Sequence, residues 1–423
     1  MAVRNEGSVL RNRDFVLLWS GLTVSEVGSA VTALAIPLLA VITLDATTFE
    51  AGALAACTHA AFLIVFLPAG AWVDRWRRRP VLIWSDIGRM VVLGSIPVAD
   101  AFDVLALPQL YVVALVAGVL TVFFDVAYQS YMPVLVEPDQ LVDANGKIGA
   151  SQSFGQVAGP SFGGALVGAI GAAAAVVVDA LSFLVSAVLT IAIRRPEPAP
   201  PPRHAEGRLR AEIREGLGFV FGHPILRKVV GCTATSNFFS AALGAVITVF
   251  LVRTLDAPSW LIGVVFSVGS VGGLIGGLLA GRIGKAVGTA RIIWLSQALL
   301  GPFLLLTVVA FPGWGLTLVA VGIFATSVAS VVYNTAQVSY RQSICPPALL
   351  GRMNASVRFV VWGTLPLGAL FGGVMGSWIG VRPTLLIGAL GEWAACLWVI
   401  FSPLFHMRDL PVLGEEELVA TRP

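Results

Sequence analysis

The chain has 423 residues, of which 57% are hydrophobic and only 12% charged, and its mean hydropathy is +0.87. A water-soluble domain carries nearer about 25% charged residues, so a soluble enzyme or a nucleic-acid-binding module is excluded and a polytopic membrane protein is expected. The net charge of +3 says little by itself; what matters is where the basic residues, three Lys and 24 Arg, fall along the chain.

Apolar runs of about 20 residues or more, long enough to cross a bilayer, cover 15–43, 51–72, 80–101, 109–136, 148–171, 173–194, 229–254, 259–281, 289–311, 315–339, 355–379 and 383–404. Twelve helices are expected, because strands with open edges would leave backbone polar groups unsatisfied in lipid. The first run is too long for a signal peptide, holds Glu26 and is followed by many others, so it reads as a retained span. With the N-terminus inside, the cytoplasmic loops hold Arg75 to Arg79, Lys147, Arg194 to Lys228, Arg282 to Arg291 and Arg341 to Arg352, while the opposite loops hold only Arg253 and Arg382. That asymmetry predicts a plasma-membrane protein with both termini in the cytoplasm. Cys57, Cys232, Cys345 and Cys396 stand far apart without a C-x-x-C, so no disulfide framework or metal site is expected.

Between spans six and seven, Arg194 to Pro202 is proline-rich and reads as an extended linker. After it, Leu209, Ile213, Leu217, Val220 and Phe221 share one helical face, with charged residues between them. This amphipathic helix lies either on the membrane or against the cytoplasmic ends of the chain's own helices. The expected organisation is a six-helix half over 1–194, a cytoplasmic segment over 195–228, a second six-helix half over 229–404 and a cytoplasmic tail over 405–423, disordered from Arg408.

The halves are related in sequence. Gly70, Arg75 and Arg78 recur as Gly277, Arg282 and Lys285, 207 residues on, although Asp74 becomes Gly281. Ser130, Tyr131, Pro138, Leu141, Asn145, Gly159, Gly163 and Gly164 recur 209 residues on, as Ser339, Tyr340, Pro347, Leu350, Asn354, Gly368, Gly372 and Gly373. Six spans per half place both halves in the same orientation, related by an axis along the membrane normal. The loop Gly70-Ala71-Trp72-Val73-Asp74-Arg75-Trp76-Arg77-Arg78-Arg79 resembles the signature loop between helices two and three of the major facilitator superfamily. Span five, with Gly146, Gly155, Gly159-Pro160 and Gly163-Gly164, resembles the motif of its proton-coupled exporters, whose glycines allow close helix approach and whose proline bends the helix. Phe123 to Tyr128, Met132 to Val136, Asp179 to Ser186 and Glu212 to Gly216 are similar to the branch of enterobactin exporters and macrolide efflux proteins.

This resemblance implies an all-α fold of two pseudo-symmetric halves and export of a small amphipathic compound in exchange for protons, with no cofactor and as a monomer. It also implies a gating relay of Gly70, Asp74, Arg75, Arg78 and Arg79 with Arg358, in which Asp125 meets Arg75 or Arg78. A charge inside a span is expensive and marks a functional candidate. Glu26, near the middle of span one, is the first choice for the proton and Asp125 the rival; a structural acid bonded to Thr23 or Ser29 is the bland reading of Glu26. Asp86 and Arg89, at i and i+3, are expected to pair within one helix. Phe62, Phe66, Phe124, Tyr128, Phe154, Asn237, Phe238, Tyr333 and Trp362 fall in spans that line the substrate cavity in this family. A proton-coupled importer, a membrane-embedded enzyme and a transport-dead sensor are the competing functions. Against an enzyme, H-E-x-x-H is absent, and neither Gly146-Lys147 nor Gly284-Lys285 continues into a nucleotide-binding loop.

Overall fold

A computed structural model describes residues 9–73, 75–197, 208–345 and 349–410. Among them there is no strand. The first half runs α1 (Arg13–Leu38), α2 (Thr48–Val73), α3 (Arg78–Ala101), α4 (Leu107–Leu135), α5 (Leu141–Ile170) and α6 (Ala172–Ile191). After α7 (Arg208–Gly222), the second half runs α8 (Pro224–Val249), α9 (Ser259–Val287), α10 (Arg291–Leu300), α11 (Leu305–Val308), α12 (Leu316–Ile344), α13 (Leu350–Trp378), α14 (Val381–Ala394) and α15 (Leu397–Ile400). Eleven helical stretches among the described residues are long and apolar enough to cross a membrane. The twelfth crossing is α5, 30 residues long but diluted by Ser151, Gln152, Ser153, Gln156 and its glycines.

Local chemistry sets the ends. Asn12 caps α1 by accepting from the backbone N–H groups of Asp14 (3.1 Å) and Phe15 (3.2 Å). Asp14, in the positive first turn, accepts in turn from the N–H groups of Arg194 and Arg195 beyond α6. The repeat is visible in the backbone. Helix α1 ends in a wide turn over Leu39–Thr43 and α8 in one over Phe250–Thr254, each followed by an aspartate in the left-handed region, Asp45 (φ 48°) and Asp256 (φ 50°). Gly171 (φ 86°) turns the chain between α5 and α6, and Gly380 (φ 92°) between α13 and α14. The second half departs from the first in its third helix. Gly301 and Pro302 break the span expected over 289–311 into α10 and α11, because proline supplies no N–H to the helical ladder.

Two compact units result. One comprises Met1–Asp45, Ile64–Arg203 and Pro258–Ser267, the other Ala46–Leu63, His204–Ala257 and Val268–Pro423. In the first, α1 packs between α5 and α6, and α3 between α4 and α6, around a core that includes Phe15, Leu18, Leu82, Tyr131 and Leu135. In the second, α8 packs on α13 and α14, and α10 on α12, around Leu226, Val229, Tyr340, Met353 and Val357.

The amphipathic helix takes the second of its two expected positions. Helix α7 lies on α13: a side chain at Gly216 would come within 2.6 Å of the Arg352 carbonyl oxygen, Glu215 pairs with Arg352 and Val220 is fully buried. The tail is ordered further than expected. The Arg408 carbonyl accepts from the Ala290 N–H (3.1 Å) and Asp409 accepts from the Thr289 N–H (3.0 Å); Glu415 to Glu417 lie outside the described residues.

Candidate functional site

In the first unit, α1, α3, α4 and α5 enclose a polar cavity of about 290 Å³. Trp19, Leu22, Ser25, Glu26 and Ser29 reach it because steps of three and four residues put them on one face of α1. Arg89 enters from α3, Asp125 and Tyr128 from α4, and Ser151 and Gln152 from α5. The structure thus brings the two predicted proton carriers, Glu26 and Asp125, into one site, close enough to feel each other's charge. Hydrogen bonds fix the walls: the Trp19 indole donates to Ser151 Oγ (2.9 Å), Thr23 Oγ1 donates to the same oxygen (2.9 Å), and Tyr128 bonds Gln152. Neither hydroxyl of the bland reading is directed at Glu26. Thr23 bonds the Trp19 carbonyl and Ser151, and Ser29 donates to Asp179 (3.5 Å).

Asp86 and Arg89 pair as their spacing predicts, both buried. The Arg89 guanidinium lies 4.4 Å from the Phe124 ring centroid and 4.0 Å from that of Phe183, an arrangement that favours a delocalised cation over an ammonium. Asp179, on α6, is also buried and accepts from Ser182 (3.1 Å) and Ser29. Spacing tied Arg89 to Asp86 alone; its place on the same cavity as Glu26 and Asp125 comes from the packing of α3 against α4 and α6.

The glycines of span five divide between two neighbours. A Cβ at Gly155 would sit 2.7 Å from Glu26 Cγ, one at Gly159 would overlap the Ala30 methyl, and one at Gly163 would lie 3.0 Å from Val31 Cα. The next face meets α9: a Cβ at Gly164 would fall 2.6 Å from the Ser259 carbonyl oxygen and 3.0 Å from Gly263 Cα, and Ser161 Oγ bonds Ser267 Oγ at 2.8 Å. Pro160 lies inside the helix, and Gly146 faces open space. The second copy repeats the pattern, with Gly368 against Phe238, Gly372 against Ala242 and Gly373 against Gly52.

At the signature loop, Asp74 lies outside the described residues, and only the helix is described at Phe66 and Gly70. Arg78 and Arg79 open α3, whose cap residue Arg77 offers no side-chain acceptor. The missing acceptor is Glu197: its carboxylate takes the Arg78 N–H (2.6 Å) and the Arg79 N–H (3.1 Å) and pairs with the Arg78 guanidinium (3.7 Å). Arg79 donates to the Thr190 and Ile191 carbonyls at the end of α6 (3.3 and 2.6 Å). The acid at Arg78 is therefore Glu197. Sequence reasoning placed Glu197 only in a linker, although a lone acid among arginines just past span six was a usable signal. Asp409 accepts from the N–H of Thr289, just ahead of α10.

The predicted aromatic contacts separate. Phe124 and Tyr128 line the polar cavity, whereas Phe154 is exposed on α5. In the second unit, Phe62 meets Trp362 edge-on at 4.8 Å, and Arg358 lies 5.6 Å from the Trp362 ring centroid. Phe238 packs on Phe239 and Phe371, and Asn237 donates to the Val361 carbonyl (3.2 Å). Tyr333 sits in the core, its hydroxyl 2.7 Å from Thr233 Oγ1 and 3.1 Å from the Val229 carbonyl oxygen.

The sequence profile described as Major Facilitator Superfamily matches residues 18–364. The multidrug efflux pump Tap of Mycolicibacterium fortuitum is 26% identical over 406 residues, covering 93% of this chain and 97% of that protein. The MFS-type transporter YfiS of Bacillus subtilis is 24% identical, covering 90% and 91%. Among solved structures, a bacterial homologue of the iron transporter ferroportin in its inward-facing state aligns with a TM-score of 0.72 at 16% identity, over 93% of this chain and 99% of that one. The nucleoside transporter NupG aligns with a TM-score of 0.67 at 13% identity, over 94% and 99%.

Proposed function

The chain belongs to the major facilitator superfamily and is a multi-pass membrane transporter rather than an enzyme, and from that premise we propose that it exports a small amphipathic organic compound in exchange for protons. The observation that supports this reading is that Glu26 and Asp125 line one cavity of about 290 Å³, with Gly155 of the antiporter motif packed against Glu26. Two acids in so small a space hold charge at high cost unless water or a cation reaches them. Proton uptake and release there are therefore tied to whether the cavity is wetted, which is the coupling that antiport by alternating access needs. Glu26 is the primary carrier and Asp125 its rival. Export is favoured over import because a relative matched along nearly its whole length is named a multidrug efflux pump. In this reading the basic loops place both termini in the cytoplasm, and Asp74, Arg75, Arg78, Arg79 and Arg358 change partners between the two states.

The test is proteoliposome transport by wild type, Glu26→Gln and Asp125→Asn under an imposed pH gradient, with a panel of antibiotics and dyes. Glu26→Gln, a mimic of the protonated acid, should lose uphill transport and keep downhill movement. If it still concentrates substrate at the wild-type rate, Glu26 is not the coupling site. Wild-type accumulation in the same direction as the proton flow would replace export by proton-coupled import.

A further inference from the structure

Where α1 and α3 meet α6, behind the polar cavity, two further acids share one cation. Asp86 and Arg89 of α3 and Asp179 of α6 are 0%, 5% and 1% exposed. Asp179, Ser182, Phe183 and Ser186 stand on one face of α6, three or four residues apart. From that face Ser182 donates to Asp179 (3.1 Å), Ser186 bonds Asp86, and the Phe183 ring lies against the Arg89 guanidinium, which brings Asp179 close enough to Arg89 to feel its charge. The backbone of α1 closes over the site at Gly28, where a Cβ would fall 2.7 Å from Asp179 Oδ1.

The contact between Asp86 and Arg89 is one-pronged. It joins Asp86 Oδ1 to Arg89 Nη2, while Asp86 Oδ2 and Arg89 Nε, both buried, have no hydrogen-bond partner among the described residues. A guanidinium committed to one carboxylate commonly grips it with two N–H groups. Other cations are engaged elsewhere: Arg79, seven residues or about 10 Å along α3, donates to carbonyls at the end of α6, and Lys147 of α5 pairs with Asp143 at the start of that helix. The remaining titratable groups around Arg89 are those of the cavity, Glu26 on α1 and Asp125 and Tyr128 on α4, and none of them is a cation. One permanently charged guanidinium thus faces two buried carboxyl groups, and ionising both would leave an uncompensated charge in an apolar core.

We propose that Asp86, Arg89 and Asp179 form a second proton-binding site, in which the two carboxyl groups share one proton and Arg89 pairs with whichever is ionised, and that Ser29 links this site to the cavity. In the arrangement seen, Arg89 pairs with Asp86 and the proton resides on Asp179. Ser29 lines the cavity and donates to Asp179. Its hydroxyl can pass its hydrogen to an ionised Asp179 and take another from water wetting the cavity, and the reverse exchange releases the proton. The site would add one proton to the exchange proposed above, held out of reach of the substrate.

The test reads protonation itself, so it stands even if Glu26→Gln still transports uphill. Full-length protein carrying Glu26→Gln and Asp125→Asn, which clears the cavity of acids, is compared by infrared spectroscopy at neutral pH with the same protein carrying in addition Asp86→Asn, Asp179→Asn or both. The carbonyl stretch of a protonated carboxyl, one per protein, should be lost in each single variant, because the remaining acid then has Arg89 to itself, and the double variant should show no further loss. A band lost in only one of the singles, a greater loss in the double variant, or no loss at all overturns the shared proton. In D2O the band should shift, more slowly in Ser29→Ala; equal rates overturn the link through Ser29. Should one single variant not fold, the other decides, since either alone should abolish the band.

Discussion

At Gly159, adding a single methyl group tests the contact between α5 and α1. A Cβ there would overlap the Ala30 methyl, while the next nearest atoms, Ala30 Cα and C, lie at 3.6 and 3.9 Å, ordinary contact distances. The conflict is thus with one methyl group, and two carbons are comfortable only at about 3.5–4.0 Å. Gly159→Ala forces α5 and α1 apart by roughly 1 Å or more, against Gly155 on Glu26 on one side and Gly163 on Val31 on the other. Overpacking of this kind costs about 1–3 kcal/mol. Ala30→Gly removes the opposing methyl and by itself costs up to about 1 kcal/mol in helix propensity. The double variant should therefore be more stable than the sum of the singles predicts, by about 1–2 kcal/mol of coupling. Thermal unfolding of the four proteins in one detergent, with efflux measured in parallel, reads this directly. If the two changes add without coupling, the close-packing argument fails; it also fails if Gly159→Leu retains normal efflux at normal expression.

Glu197→Ala should free the first turn of α3. Loss of a carboxylate that is 5% exposed and accepts from two backbone N–H groups should cost about 1–2 kcal/mol and raise hydrogen exchange at Arg78 and Arg79; unchanged exchange there would refute the cap. Asp409→Ala should raise exchange at Thr289 by a smaller factor, because the Asp409 side chain is more exposed. Arg89→Leu, which leaves Asp86 buried without its cation, should destabilise by about 3–5 kcal/mol, whereas Asp86→Leu with Arg89→Leu should recover most of that loss. Equal instability of the single and double variants would mean that the stacking of Arg89 on Phe124 and Phe183, not its charge pair, holds the bundle.

What the sequence by itself determined is whatever repeats along one helix or between the halves. Apolar length fixed the spans, i to i+3 spacing fixed Asp86 with Arg89, and the offsets near 209 residues announced the second six-helix set, whose turns at Asp45 and Asp256 and at Gly171 and Gly380 the backbone repeats. Glycine spacing likewise announced a close contact on α5, because a bare face at steps of four has few other uses. Only the tertiary structure decided the partners. That Gly155 meets Glu26 while Gly164 meets Gly263, that Arg89 shares a cavity with Glu26 and Asp125, and that Glu197 caps α3 are juxtapositions of residues on different helices, far apart in the chain. The same holds for Tyr333, an apparent ligand contact by its span and a core residue by its bonds to Thr233 and Val229. Periodicity tells which face of a helix is special, but not which neighbour covers it. In a membrane, where lipid is as apolar as a core side chain, hydrophobicity cannot choose between the two, and packing shape and polar pairing choose instead.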